Sequence, residues 1–179
     1  MDEMAGPEPG RDPGEELARA FSVERPRLVS LAYRLTGSLA DAEDVVQESW
    51  IRLQRADADP STAPRDLPAW LTTTATRLAL DQLRAAGRRK ESYVGPWLPE
   101  PRIAAGSGPE EVAALADELS FALLVVLEAL SPAQRAAFIL HDTFGLPFEQ
   151  VAQALGRSPA AVRQLASRAR GQVVAGARG

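Results

Sequence analysis

Residues 146–170 read LPFEQVAQALGRSPAAVRQLASRAR, and the parsing of this stretch decides the fold. Val151, Ala152 and Leu155 recur at helical spacing and predict a short helix with one apolar face. Gly156 ends it, because glycine adopts the left-handed terminal conformation without steric cost. Ser158 caps a second helix, and Pro159 takes its first position, where a missing N–H matters least. Val162, Leu165, Ala166 and Ala169 form the buried stripe of that helix; Arg163, Gln164, Ser167 and Arg168 lie opposite. Small residues at the crossing and a tight glycine turn predict a helix-turn-helix. An ordinary antiparallel helix pair with a solvated basic face shares the pattern. The DNA-reading version is favoured because Arg157, Arg163, Arg168, Arg170 and Arg178 have no acidic residue among them.

The rest of the chain bounds the function. Its 179 residues suffice for one domain or two small ones, and 45% are hydrophobic, enough to bury a core. Three Trp, two Tyr and five Phe among many Ala, Leu and Arg lean toward an all-α protein. The absence of cysteine removes disulfides, thiolate nucleophiles and cysteine–zinc sites, and the single His141 removes a multi-histidine metal site. The sequence shows no nucleophile–base pair and no phosphate-cradling glycine loop, so no catalytic residue, metal or cofactor is expected. No apolar run approaches the ~20 residues that span a bilayer, and the acidic, Pro/Gly-rich start is the opposite of a secretory signal. A cytoplasmic protein without membrane insertion is expected.

A net charge of −4 looks wrong for a nucleic-acid binder, but its distribution does not. Acidic residues gather at Asp2–Glu16, Asp41–Glu48 and Glu110–Glu118, and basic ones at Arg84–Lys90 and from Arg157 onward. Two basic patches separated by acidic surface suit a protein that touches DNA twice and a basic partner elsewhere.

Working back from the helix-turn-helix, Ser131 and Gln134 predict a capping box with Pro132 at the first helical position. That helix carries Arg135, Phe138, Ile139 and Leu140 and ends near Gly145, with His141 a boundary residue rather than a ligand. Glu110–Leu130 reads as a helix with an apolar face that includes Leu127 and Leu130. Tyr93–Gly108 (YVGPWLPEPRIAAGSG) is a boundary, although Trp97, Leu98 and Ile103 are too apolar for a passive spacer. They are expected on a surface, in a partner's groove, or packed on the first domain. Upstream, helices are predicted over Leu17–Thr36, Leu39 to about Arg55, and Ala69 to about Ala86, with Pro26 a kink or a new start in the first. Residues 1–16 are expected to be a disordered tail. Acid at Asp41, Glu43, Asp44 and Glu48 complements a helix dipole and also offers a docking surface. Thr72, Thr73, Thr74 and Thr76, beside Arg77 and Arg84, suit a phosphate-contacting face.

Together, LVSLAYRLTGSLADAEDVVQESWIRL, LPAWLTTTATRLALDQLRAAGRRK and LSPAQRAAFILHDTFGLPFEQVAQALGRSPAAVRQLASRAR resemble a bacterial sigma factor of the extracytoplasmic-function type, in order and spacing, over most of Arg25–Arg170. The resemblance implies a sigma-2-like domain over 17–92, a linker over 93–110 and a sigma-4-like domain over 111–179. It implies docking on the β′ clamp and β flap of core RNA polymerase, and promoter DNA as ligand. Asp41, Glu43, Asp44, Gln47 and Glu48 would face the clamp. Trp70, Thr73, Thr74, Arg77, Arg84, Arg88 and Arg89 would open and read the −10 element. Many relatives have an asparagine where this chain has Arg77, which implies a different −10 preference. Arg157, Arg163, Gln164, Ser167, Arg168 and Arg170 would read the −35 element. The linker YVGPWLPEP is similar to that of the subgroup carrying a fused SnoaL-like domain; the chain is expected to lack that domain, which leaves a regulatory domain or an anti-sigma factor as a further partner. Two alternatives use the same residues: a stand-alone helix-turn-helix regulator, and a helical interaction module such as an anti-sigma protein. The acidic Asp41–Glu48 helix speaks against the first, and the clustering of basic residues on two DNA faces against the second.

Overall fold

A computed structural model describes residues 12–92 and 126–176, with side chains to Arg88 in the first segment. The expectations for Tyr93–Gly108 and for most of Glu110–Leu130 lie outside the described residues. So do those for residues 1–11 and for Arg178.

Three long helices build the N-terminal half: α1 (Pro13–Thr36), α2 (Leu39–Asp57) and α3 (Leu67–Ser92). α1 starts earlier than its apolar stripe suggests. The Asp12 side chain accepts the Gly14 N–H, and Pro13 occupies the first turn. Residues 13–16, expected in the tail, are therefore helical. Pro26 sits within the continuous helix. Gly37, at φ 74°, stops α1, and Ser38 caps α2 through the Asp41 N–H at 3.3 Å. Asp66 caps α3 by accepting the Ala69 N–H at 3.0 Å. In the preceding loop, the backbone N–H and hydroxyl of Ser61 hold the Asp59 carboxyl below its usual range.

The core of this half is the expected stripe of Leu28, Leu31, Ala32 and Leu35 with Val45, Val46, Leu53 and Leu71, all buried. Each large aliphatic side chain contributes about 1.5–3 kcal/mol. Trp50 packs its ring 4.9 Å from that of Phe21. Arg27 ties α1 to the first turn of α3, donating to the Pro68 carbonyl at 3.2 Å and the Thr72 hydroxyl at 2.9 Å. Thr72 and Thr76 are thereby corrected: both are buried, and only Thr73 and Thr74 reach the surface.

The C-terminal half begins with a helical turn at 126–128, then α4 (Pro132–Phe138), whose capping box pairs Ser131 with Gln134 in both directions. The helix does not run on regularly to Gly145. Ile139–Thr143 is a π-helical turn, with the Phe144 N–H bonded to the Ile139 carbonyl at 3.0 Å. α5 (Phe148–Leu155) and α6 (Pro159–Gly176) then form the helix-turn-helix. Val151, Ala152, Val162, Ala166 and Ala169 are buried, while Leu155 and Leu165 are half-buried. α3 packs against α4 and α5, so the two halves share one core. Among the described residues no helix is long and apolar enough to cross a membrane.

Gly156 closes α5 at φ 61°, which lets the Arg157 N–H reach the Ala152 carbonyl at 3.0 Å. A Cβ there meets no neighbour within 4 Å, so the cost of adding one is conformational only. Gly156→Ala is expected to destabilise the protein by about 1–2 kcal/mol in urea denaturation. An unchanged midpoint would mean that the turn relaxes without loss.

Candidate nucleic-acid and partner interfaces

α6 presents its expected outer face. Arg163, Gln164, Ser167 and Arg168 are all exposed, opposite the buried Val162, Ala166 and Ala169. Ser158 accepts the Ala161 N–H at 3.2 Å and fixes where the helix begins. Arg157 stands exposed in the turn. The arginines differ in what holds them. Arg163 donates to Glu149 at 3.3 Å, with its guanidinium carbon 5.3 Å from the centroid of the Phe148 ring. Arg170 turns back to Asp142 at 2.7 Å. The sequence shows no acid among these arginines, and both partners escape it because they come from the preceding elements. Phe148 is itself fixed by stacking on His141, ring centroids 3.8 Å apart. His141 is half-buried at the boundary and donates through Nδ1 to the Leu146 carbonyl at 2.8 Å; the carbonyl can only accept, which sets the tautomer.

On α3, Trp70, Thr73, Thr74, Arg77, Arg84 and Arg88 fall along one stripe at spacings of three, four and seven. Trp70, Thr73 and Thr74 are half-buried, and Arg84 pairs loosely with Asp81 at 3.4 Å. Arg88 is exposed; the Arg89 side chain lies outside the described residues. Arg77 is engaged across the molecule. Its Nη2 donates to the Gln153 carbonyl at 2.9 Å and its Nε to the Ala154 carbonyl at 3.2 Å, at the C-terminal end of α5. Nothing in the sequence signals this, because the acceptors are backbone atoms.

On α2, Asp41, Asp44 and Glu48 share one side at i, i+3 and i+7, with Glu43 and Gln47 beside them. Asp44 and Gln47 are exposed; Asp41, Glu43 and Glu48 are half-buried, and Glu48 holds Arg52 at 3.0 Å. The opposite side is buried through Ala42, Val45, Val46, Ser49 and Leu53. The acidic strip is thus turned away from the core.

Sequence reasoning also misses Arg135. It is buried, donating through Nε to the Leu127 carbonyl and through Nη1 to the Leu35 carbonyl, both at 2.8 Å. Burial pulls its pKa below the ordinary value, and Glu128 opposes that shift. The available signal was a lone cation beside the apolar run AAFIL, phased inward by the capping box.

The two helical halves match a known class of protein. Sigma-70 region 2 matches residues 21–89, and sigma-70 region 4 matches residues 120–173. The ECF RNA polymerase sigma factor SigJ of Mycobacterium tuberculosis is 52% identical over 157 residues, covering 87% of this chain and 49% of the relative. The ECF RNA polymerase sigma factor SigD of Mycobacterium bovis is 38% identical over 159 residues, covering 86% of this chain and 73% of the relative. The crystal structure of SigJ superposes with a TM-score of 0.65 at 49% identity, over 87% of this chain and 52% of that one. The chain belongs to the extracytoplasmic-function sigma factors of the sigma-70 family. It spans about half the length of SigJ.

Proposed function

We propose that the protein binds core RNA polymerase in the cytoplasm and directs promoter-specific initiation, with no catalysis of its own. The observation that carries this reading is that acidic α2, the basic stripe of α3 and the exposed face of α6 coexist on one family scaffold. Asp41, Glu43, Asp44, Gln47 and Glu48 dock on the polymerase β′ clamp, and the C-terminal half meets the β flap. Trp70, Thr73, Thr74, Arg77, Arg84, Arg88 and Arg89 open and read the −10 element. Trapping bases outside the stack costs a few kcal/mol, which phosphate contacts by the basic end of α3 and the polymerase contacts together offset. Arg157, Arg163, Gln164, Ser167, Arg168 and Arg170 serve the −35 element, with an anti-sigma factor as a further partner class.

The arginines of this face differ in how they are held. Arg163 is braced by Glu149 and Phe148, whereas no intramolecular partner holds Arg168 among the described residues. A bidentate arginine–guanine contact is worth ~1–3 kcal/mol of discrimination. Arg163→Ala and Arg168→Ala are each expected to weaken promoter binding by that amount and to relax base choice at one or two −35 positions. Selection of promoters from a random library by holoenzyme assembled with each variant checks this. Equal loss on every sequence would assign these side chains to phosphates and remove base reading from them. The function itself is tested by co-elution of the protein with purified core polymerase. Failure to form that complex would leave the stand-alone regulator as the reading.

A further inference from the structure

We infer that His141 and Phe148 are positioning residues for Arg163, and that the three side chains form a column which holds one guanidinium ready for a −35 base before DNA arrives. The inference rests on the −35 reading proposed above. The column crosses three elements: the π-helical turn Ile139–Thr143, the first residue of α5 and the exposed face of α6. The His141 and Phe148 rings stack with centroids 3.8 Å apart and planes 20° from parallel. A ring at that distance fills one face of the phenyl group, so the Arg163 guanidinium carbon, 5.3 Å from the Phe148 centroid, lies over the other. His141 is in turn fixed by its Nδ1 hydrogen bond to the Leu146 carbonyl at 2.8 Å. The next residue of the turn, Asp142, accepts from Arg170 at 2.7 Å, about two helical turns beyond Arg163. Consecutive side chains of the π-helical turn thus support α6 at two points along its exposed face.

Two braces act on Arg163, and they differ in what they leave free. Glu149 accepts from its Nη2 at 3.3 Å, and both side chains are more than half exposed. Such a surface pair is weak and screened by salt. It also occupies an N–H donor that a guanine would use, so a two-pronged base contact must displace it. A ring face attracts the cation through its quadrupole and uses none of the N–H donors. The guanidinium fork therefore stays available for guanine O6 and N7 while the column still holds it.

Holding the side chain beforehand matters, because ordering a rotamer-rich side chain on binding weakens affinity by ~2–10-fold. Arg168, in contrast, has no intramolecular partner among the described residues and must be ordered by the DNA itself. The two arginines thus give an internal comparison on one helix: loss of the column reaches Arg163 and passes Arg168 by. A metal-ligand role for His141 finds no support, since among the described residues no group of three or more histidine and acidic side chains could hold an ion.

Promoter selection by holoenzyme from a random library first defines the base positions whose preference relaxes in Arg163→Ala and in Arg168→Ala. Competition titration with duplexes changed at those positions then measures discrimination in each variant. His141→Asn keeps a donor for the Leu146 carbonyl and removes the ring. It should lower discrimination at the Arg163 positions by ~2–5-fold and leave the Arg168 positions unchanged. In an Arg163→Ala background the same change should add nothing. His141→Tyr keeps a stacking ring and should keep discrimination. Phe148→Leu retains apolar volume without a π face and should behave like His141→Asn; it decides the matter if the asparagine variant does not fold. Full discrimination in the ring-loss variants, equal loss at the Arg163 and Arg168 positions, or further loss in the Arg163→Ala background would overturn the column. Relaxation in Arg163→Ala with none in the ring-loss variants strikes the column alone. If Arg163→Ala itself relaxes no position, base reading by Arg163 fails, and the column falls with it.

Discussion

Replacing Arg135 with alanine is expected to remove about 3–5 kcal/mol of folding stability, well beyond the loss expected from Gly156→Ala. The side chain is 5% exposed, and its two hydrogen bonds run to main-chain carbonyls on α1 and on the helical turn before α4. Hydrogen bonds from a charged group each contribute ~1.5–3 kcal/mol, and a buried carbonyl left without a donor costs ~1–3 kcal/mol. Alanine also leaves a cavity where the aliphatic stem packs. Against a total stability of ~5–15 kcal/mol, that is a large fraction. Arg135→Lys should lose less, although an ammonium group lacks the fork that reaches both carbonyls. Urea denaturation with an unchanged slope measures the loss. A loss below ~1 kcal/mol would show that water replaces the guanidinium without penalty.

The second large effect concerns binding rather than folding. Asp44→Arg combined with Glu48→Arg is expected to weaken core polymerase binding by about 2–5 kcal/mol, so that little complex survives at micromolar concentrations. Folding should barely respond. The two carboxylates lie opposite the buried face of α2, and the Glu48–Arg52 pair is a partly exposed i,i+4 bridge. Such bridges contribute ~0–1 kcal/mol, and Asp44 near the helix start adds at most ~1 kcal/mol through the dipole. Fluorescence titration against core polymerase, beside far-UV circular dichroism, separates the two outcomes. Unchanged affinity with intact helicity would remove α2 from the docking surface.

The contrast between these residues shows what a sequence reveals. The helix-turn-helix was legible because each of its determinants is local: Gly156 for the left-handed turn, Ser158 and Pro159 for the helix start, and a stripe at Val162, Ala166 and Ala169. The capping box at Ser131 was legible for the same reason. Arg77 and Arg135 were not, since their acceptors are backbone carbonyls up to 100 residues away, and a carbonyl carries no side-chain signature. The threonines fall between these cases. Thr72 and Thr76 lie in phase with the buried Ala75, Ala79 and Leu80, so helical periodicity could have separated them from Thr73 and Thr74. The π-helical turn at Ile139–Thr143 left no comparable trace, because Ile139 and Leu140 would be apolar on a regular helix as well.

The chain is expected to confer promoter-specific initiation on core polymerase. Run-off transcription with purified core polymerase, on promoters selected from a random library, tests it most directly. The expected result is a discrete transcript that appears only when the protein is added, and that is lost when either the −10 or the −35 element is scrambled. A protein that binds the selected DNA equally well without polymerase, and yields no transcript with it, would contradict the claim.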